Sequence, residues 1–180
     1  MKNTTKNIIQ SFIIVPLVAT TLTMNTVTVA INEAVAKATA ADVSPEEMAA
    51  QAARQEKAAK IDAYFGKYDL PLTGHGMQFV LTAEKYDLDP FLLPALAMRE
   101  STGGKFMRNN NAFGWGTAKF KDLDEAIEVV GSHLGGTQPT TAKYYADKPL
   151  EKVLYAYNSV IPSYKTDIIG IMAKIGKMEA

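Results

Sequence analysis

Tyr86–Ser101, YDLDPFLLPALAMRES, is the stretch that decides how the chain reads. Asp87-Leu88-Asp89-Pro90 joins two turn-forming acids to a proline, a combination that stops one helix and caps the next. Beyond it, Leu92, Leu93, Leu96 and Ala97 recur at helical spacing, which predicts a helix over Phe91–Ser101 with that stripe buried. Glu100 falls four residues after Leu96 and eight after Leu92, so it belongs to the core-facing side. It also occupies the last turn, at the negative end of the helix dipole. Burial and dipole both disfavour a charged carboxyl there, and protonating a glycosidic oxygen requires a carboxylic acid kept protonated near neutrality. The competing reading pairs Glu100 with a cation such as Arg108, or leaves it in solvent at the helix end.

Outward from this helix the chain continues as helices. Ser44-Pro45-Glu46-Glu47 is a capping box with proline at the first helical position, opening an Ala-rich helix to about Phe65 whose first half faces solvent. A second helix over His75–Tyr86 spaces Met77, Val80, Leu81 and Glu84 along one face. Thr102–Lys119 is a Gly- and Asn-rich loop, too long for a mere connection and therefore a candidate functional segment. Asp122-Leu123-Asp124-Glu125 then starts a helix with Leu123, Ile127, Val130 and Leu134 on one face, ending at Gly135-Gly136. Pro149 opens a short helix through Tyr157. Pro162 opens the last, with an apolar stripe of Tyr164, Ile168, Ile171, Met172, Ile175 and Met178. Sustained alternation of the strand kind is missing, so the expected class is all-α, with at most a small β-hairpin within 102–121.

The 180 residues are 47% hydrophobic and 21% charged, enough for one sizeable core. Nineteen basic against nineteen acidic side chains leave no net charge, which removes the broad field on which non-specific nucleic-acid binding depends. The absence of cysteine excludes disulfides, thiolate zinc sites and a cysteine nucleophile. With two separated histidines, His75 and His133, neither a metal site nor any cofactor is expected. Lys2 and Lys6 precede an uncharged 17-residue stretch, Ile8–Met24, and then small-residue steps at Ala30, Ala36 and Ala40. That is the pattern of a secretory signal. Cleavage between about 30 and 40 would export the remainder to the cell envelope or beyond, and a membrane contact would arise only if the segment stayed uncleaved, since it falls short of about 20 apolar residues. The expected organisation is a signal segment over 1–40, an N-terminal helix and linker over 41–70, and a compact domain over 71–180.

Three pieces in order carry a resemblance. Tyr86–Ser101 resembles the catalytic helix of lysozyme-like peptidoglycan-cleaving enzymes, the lytic transglycosylase and goose-type lysozyme family, whose DP.LL.A.A..ES pattern places the catalytic glutamate before a serine. Asn111-Ala112-Phe113-Gly114-Trp115-Gly116 lies where that family carries a Gly-Leu-Met-Gln loop along the sugar cleft, and Tyr155-Ala156-Tyr157-Asn158 is similar to its AYN motif. The match spans about residues 75–178. It departs in the missing Met-Gln pair and in Ser159-Val160 after Asn158, where Ala-Gly is usual. Asn110-Asn111-Ala112-Phe113-Gly114, Asp124-Glu125-Ala126-Ile127 and Tyr144-Tyr145 look instead like the related bacterial endo-β-N-acetylglucosaminidases.

Both resemblances imply a lysozyme-like helical fold with a sugar cleft. They also imply a secreted enzyme that breaks a β-1,4 bond between N-acetylglucosamine and N-acetylmuramic acid, with Glu100 as general acid and base. Which bond is cut, and whether by hydrolysis or anhydro-sugar formation, stays open. Tyr157 would steady the developing oxocarbenium ion or hydrogen-bond Glu100. The matched motifs nominate Ser101, Asn111, Phe113, Gly114, Trp115 and Asn158 as substrate contacts, Trp115 also because its flanking glycines would let a bare backbone and an exposed ring approach a ligand. Asp122, Asp124 and Asp147 are the nearest candidates for a second carboxylate, although the first two are better explained as helix-start residues. The expected partner is the peptidoglycan glycan strand, bound by a monomer, with no nucleic acid. The alternative is a wall-binding or scaffold module of the same fold without turnover.

Overall fold

A computed structural model describes residues 44–179, and the signal-like segment with its candidate cleavage points lies outside that range. The described residues form seven helices: α1 Pro45–Gly66, α2 Gly76–Lys85, α3 Leu92–Ser101, α4 Leu123–Leu134, α5 Ala142–Tyr145, α6 Leu150–Tyr157 and α7 Tyr164–Gly176. They include no strand, so the class is all-α and the small hairpin expected within 102–121 is absent. Turns and side-chain bonds to the backbone hold that segment, with one pairing, Phe120 N–H to Asn109 O at 3.0 Å, closing its base.

The first half of α1 is exposed, as its Ala-rich sequence predicts. Its later turns bury Ala58, Ile61, Tyr64 and Phe65 in the same core as α2, α3 and α7, so this helix is part of the compact domain and not a linker before it. Asp62 fastens the next element by accepting the N–H groups of Gly74 (2.8 Å) and Gly76 (2.9 Å), supplying the N-terminal partner that His75 does not. Glycine is required at 76 because a Cβ there would fall 2.2 Å from the Ala58 carbonyl.

Of the residues spaced along α2, Val80 is buried and Met77 packs against the core, while Leu81 and Glu84 face outward. Gly76, Phe79, Val80, Thr82 and Ala83 turn inward, Leu81 is exposed, and Glu84 meets Arg54 at the surface at 2.6 Å. On another side α2 closely approaches α4: at Gly131 a Cβ would fall 2.3 Å from Thr82 Cγ2. The helix is thus in close contact with α1 at Gly76 and with α4 at Thr82.

At the centre, α3 buries all six residues from Leu92 to Ala97 and packs chiefly on α7, which offers Tyr164, Ile168, Met172 and Ile175. Truncating a fully buried leucine such as Leu96 would cost about 2–5 kcal/mol. Phe65, Phe79 and Phe113 extend this core under the long loop, with ring centroids 6.0 and 6.5 Å apart. Asp122 caps α4, accepting the Glu125 N–H at 2.8 Å. Pro149 precedes α6 as expected, whereas the short α5 carries no signal of its own and α7 starts two residues after Pro162.

Candidate functional site

Glu100 stands half-buried in the last turn of α3, where the helix ends at a left-handed Thr102 (φ 54°). Its Oε1 accepts a 2.5 Å hydrogen bond from the Tyr164 hydroxyl, delivered by the first turn of α7. The neighbouring cation is engaged elsewhere: Arg99 pairs with Asp167 at 3.3 Å and lies 5.8 Å from the Tyr164 ring centroid. Among the described residues Glu100 forms no ion pair, and Arg108 does not reach it. Its other oxygen, Oε2, lies against the loop. The positive φ of Gly114, +59°, favours glycine, and a Cβ there would fall 2.9 Å from this oxygen and push the carboxyl aside.

The loop reaches Glu100 because polar side chains tie its backbone down. Ser101 is buried, its Oγ 2.7 Å from the Ala112 carbonyl and 3.1 Å from that of Ala97, and it accepts the Gly104 N–H at 2.9 Å. Asn111 Oδ1 accepts the Trp115 N–H at 2.9 Å while its Nδ2 lies within 3.4 Å of the Trp115 and Ala118 carbonyls. Asn110, left-handed at φ 56°, donates to the carbonyls of Phe120 and Lys121. Phe113 is wholly buried, and its carbonyl accepts the Tyr157 hydroxyl at 2.5 Å.

Beyond Gly114 opens a cavity of about 440 Å³ walled by Trp115, Tyr144, Tyr145 and Tyr157, with Thr141 and the bare backbone beside them. No charged side chain lines it. Tyr157 stacks on Tyr164, with rings 6.0 Å apart and 15° from parallel, and Trp115 lies 5.7 Å from Tyr157 and 4.9 Å from the His133 ring. His133 Nδ1 meets Thr141 Oγ1 at 2.8 Å, and burial holds the imidazole below its ordinary value, so a neutral ring backs the tryptophan. Burial first, and then the Glu100 carboxyl, push the Tyr157 and Tyr164 phenols well above the ordinary tyrosine range. Both hydroxyls therefore remain donors across any physiological pH.

Of the residues the sequence nominates, Glu100, Gly114, Trp115 and Tyr157 are brought together. Tyr157 donates its hydroxyl to the loop carbonyl of Phe113 and makes no hydrogen bond to Glu100, whose charge it nevertheless feels. Ser101, Asn111 and Phe113 spend their polar or apolar groups inside the loop's support. Asn158 is drawn into the α6–α7 turn, accepting the N–H groups of Val160 and Ile161, both at 3.1 Å. The candidate second carboxylates are placed elsewhere: Asp122 caps α4, Asp124 meets His75 Nδ1 at 2.6 Å, and Asp147 sits exposed in a left-handed turn. No group of three metal-ligating side chains occurs among the described residues. Tyr164 is the site residue that sequence reading assigned only to the apolar stripe; a hydroxyl among aliphatic neighbours was its one signal, because a buried tyrosine needs a partner. No family model, no curated protein and no solved structure matches this chain.

Proposed function

We propose that this chain is an extracytoplasmic enzyme of lysozyme-like architecture that cleaves the β-1,4-linked glycan of peptidoglycan, with Glu100 as general acid and base. The observation that carries the reading is that the Glu100 carboxyl and the aromatic cavity share Gly114 as a common wall. A sugar ring resting on Trp115 and Tyr157 would bring a glycosidic oxygen toward the one carboxyl oxygen that Tyr164 does not hold. The motif order over residues 75–178 and the signal-like N-terminus support the same substrate and destination.

In that reaction Glu100 gives its proton to the leaving glycosidic oxygen as the bond to the anomeric carbon breaks. Positive charge then develops at the anomeric carbon beside the new Glu100 carboxylate. The muramic acid 6-hydroxyl closes onto that carbon, and Glu100 takes the hydroxyl proton, leaving a 1,6-anhydro sugar, a free 4-hydroxyl and a reprotonated acid. One carboxyl suffices for this route, and the engagement of Asp122 and Asp124 elsewhere favours it over a two-carboxylate hydrolysis. The test is to incubate the full chain with purified peptidoglycan and identify the released ends by mass spectrometry. Anhydro-muramic ends are expected. Reducing N-acetylglucosamine or reducing muramic ends would replace the ring-closing step by hydrolysis at the corresponding bond, and no fragments from folded protein would overturn the proposal.

A further inference from the structure

Helix α6 divides two concavities of opposite character. Ala156 and Tyr157 on one side wall the uncharged aromatic cavity. Leu154, Tyr155 and Asn158 on the other wall a groove of about 320 Å³, completed across the α6–α7 turn by Ile161, Pro162 and Lys165, with Lys152 and Glu151 at its α6 end. Tyr155 is 68% exposed, Ile161 37%, and the adjacent Val160 86%, a concentration of bare apolar surface. Lys152 and Lys165 are exposed and form no ion pair among the described residues, so the groove offers two free cations against one acid, Glu151.

These features sort ligands. The aromatic cavity suits the face of a neutral sugar and offers nothing to a carboxylate. The groove supplies ammonium groups for carboxylates and a tyrosine, isoleucine and proline surface for short aliphatic side chains. Its walls are next in the chain to the site: Asn158 follows Tyr157, and Lys165 follows Tyr164, the residue bonded to Glu100. We propose that the α6–α7 groove binds the carboxylate-bearing peptide that branches from the glycan, while the aromatic cavity holds the sugar backbone. This assignment rests on the glycan-cleaving reading of the neighbouring site.

The test titrates the isotopically labelled full chain with a synthetic N-acetylated pentapeptide of the wall-branch type, carrying free glutamate and C-terminal carboxylates, followed by NMR. Saturable shifts are expected at the amides of Lys152, Tyr155, Asn158 and Lys165. Amidating both carboxylates, or making the double variant Lys152→Gln/Lys165→Gln, should weaken binding about tenfold, the sum of two exposed ion pairs. Raising the salt concentration should weaken it as well. Absence of saturable shifts, equal binding of the amidated peptide, equal binding by the double variant, or shifts confined to the Trp115 cavity would each overturn the proposal. Glycan cleavage is measured separately, with the same protein preparations and purified peptidoglycan. Peptide binding without cleavage supports the groove and removes the enzymatic reading alone; cleavage without peptide binding removes the groove alone.

Discussion

On the helical side of the site, Glu100 and Tyr164 stand on α3 and α7, which pack on each other and carry wholly buried residues such as Leu96 and Ile168. On the loop side, Gly114 and Trp115 hang from a segment without regular structure, fixed by Ser101, Asn110 and Asn111 through bonds to backbone carbonyls and N–H groups. The acid is thus positioned by apolar burial spread over many atoms. The wall opposite depends on a few hydrogen bonds, each costly to remove once buried. Single polar substitutions should therefore disturb the loop side far more than the helical scaffold, and the two sides can be taken apart separately.

The sharpest break is Gly114→Ala. The added methyl would meet Glu100 Oε2 at 2.9 Å on a backbone held at φ +59°, and a displacement of the acid by about 1 Å is expected to lower the cleavage rate at least 100-fold. Unchanged turnover would show that loop and acid do not share a wall. Next, Ser101→Ala removes a hydroxyl that joins α3 to the loop at Ala112 and Gly104, and should cost about 2 kcal/mol of stability in denaturant unfolding. A cost below about 0.5 kcal/mol would contradict the buried network.

Much of this division was legible in the sequence and some of it was not. The leucine stripe at 92, 93 and 96 announces the central helix because helical burial leaves a periodic trace. The capping patterns at Ser44 and Asp122 mark helix starts through local backbone chemistry, and both helices begin there. The close approaches of α2 to its neighbours are not legible in the sequence, because they occur at Gly76 and Gly131, where the informative feature is an atom that is missing and the partner is remote in sequence. Asn111 and Ser101 were visible as polar residues in a promising motif, but whether such groups point to a ligand or to their own loop is decided by where the chain turns. Helix α5 spans four residues, too few for periodicity to register.

On the helical side, Tyr164→Phe deletes the bond to Glu100 Oε1 and leaves the stacked ring in place. Cleavage should fall about tenfold with little change in stability, consistent with the loss of one charge-assisted hydrogen bond. A 100-fold fall would mean that the scaffold is less independent of polar contacts than its burial implies. The smallest effect concerns His133 behind the loop wall. Its value is held below the ordinary 6.5 by burial, so the neutral form is favoured in the folded state. The stability this contributes is present above pH 6.5 and is lost as pH falls through the lowered folded value. Trp115 is the only tryptophan, and its fluorescence should change with a midpoint below pH 6.5, a step that His133→Gln removes. A midpoint above 6.5 would contradict the buried neutral imidazole.

The most direct test of the central claim compares the full chain with its Glu100→Gln variant on one purified, peptide-free glycan, following binding by Trp115 fluorescence and cleavage by release of soluble fragments. If a carboxyl on α3 acts on a sugar held by the aromatic cavity, both proteins perturb the tryptophan signal on adding glycan. Only the wild type then releases fragments, with the variant slower by about 100-fold or more. Equal release by the two proteins, or a wild type that neither binds nor cleaves, would contradict it.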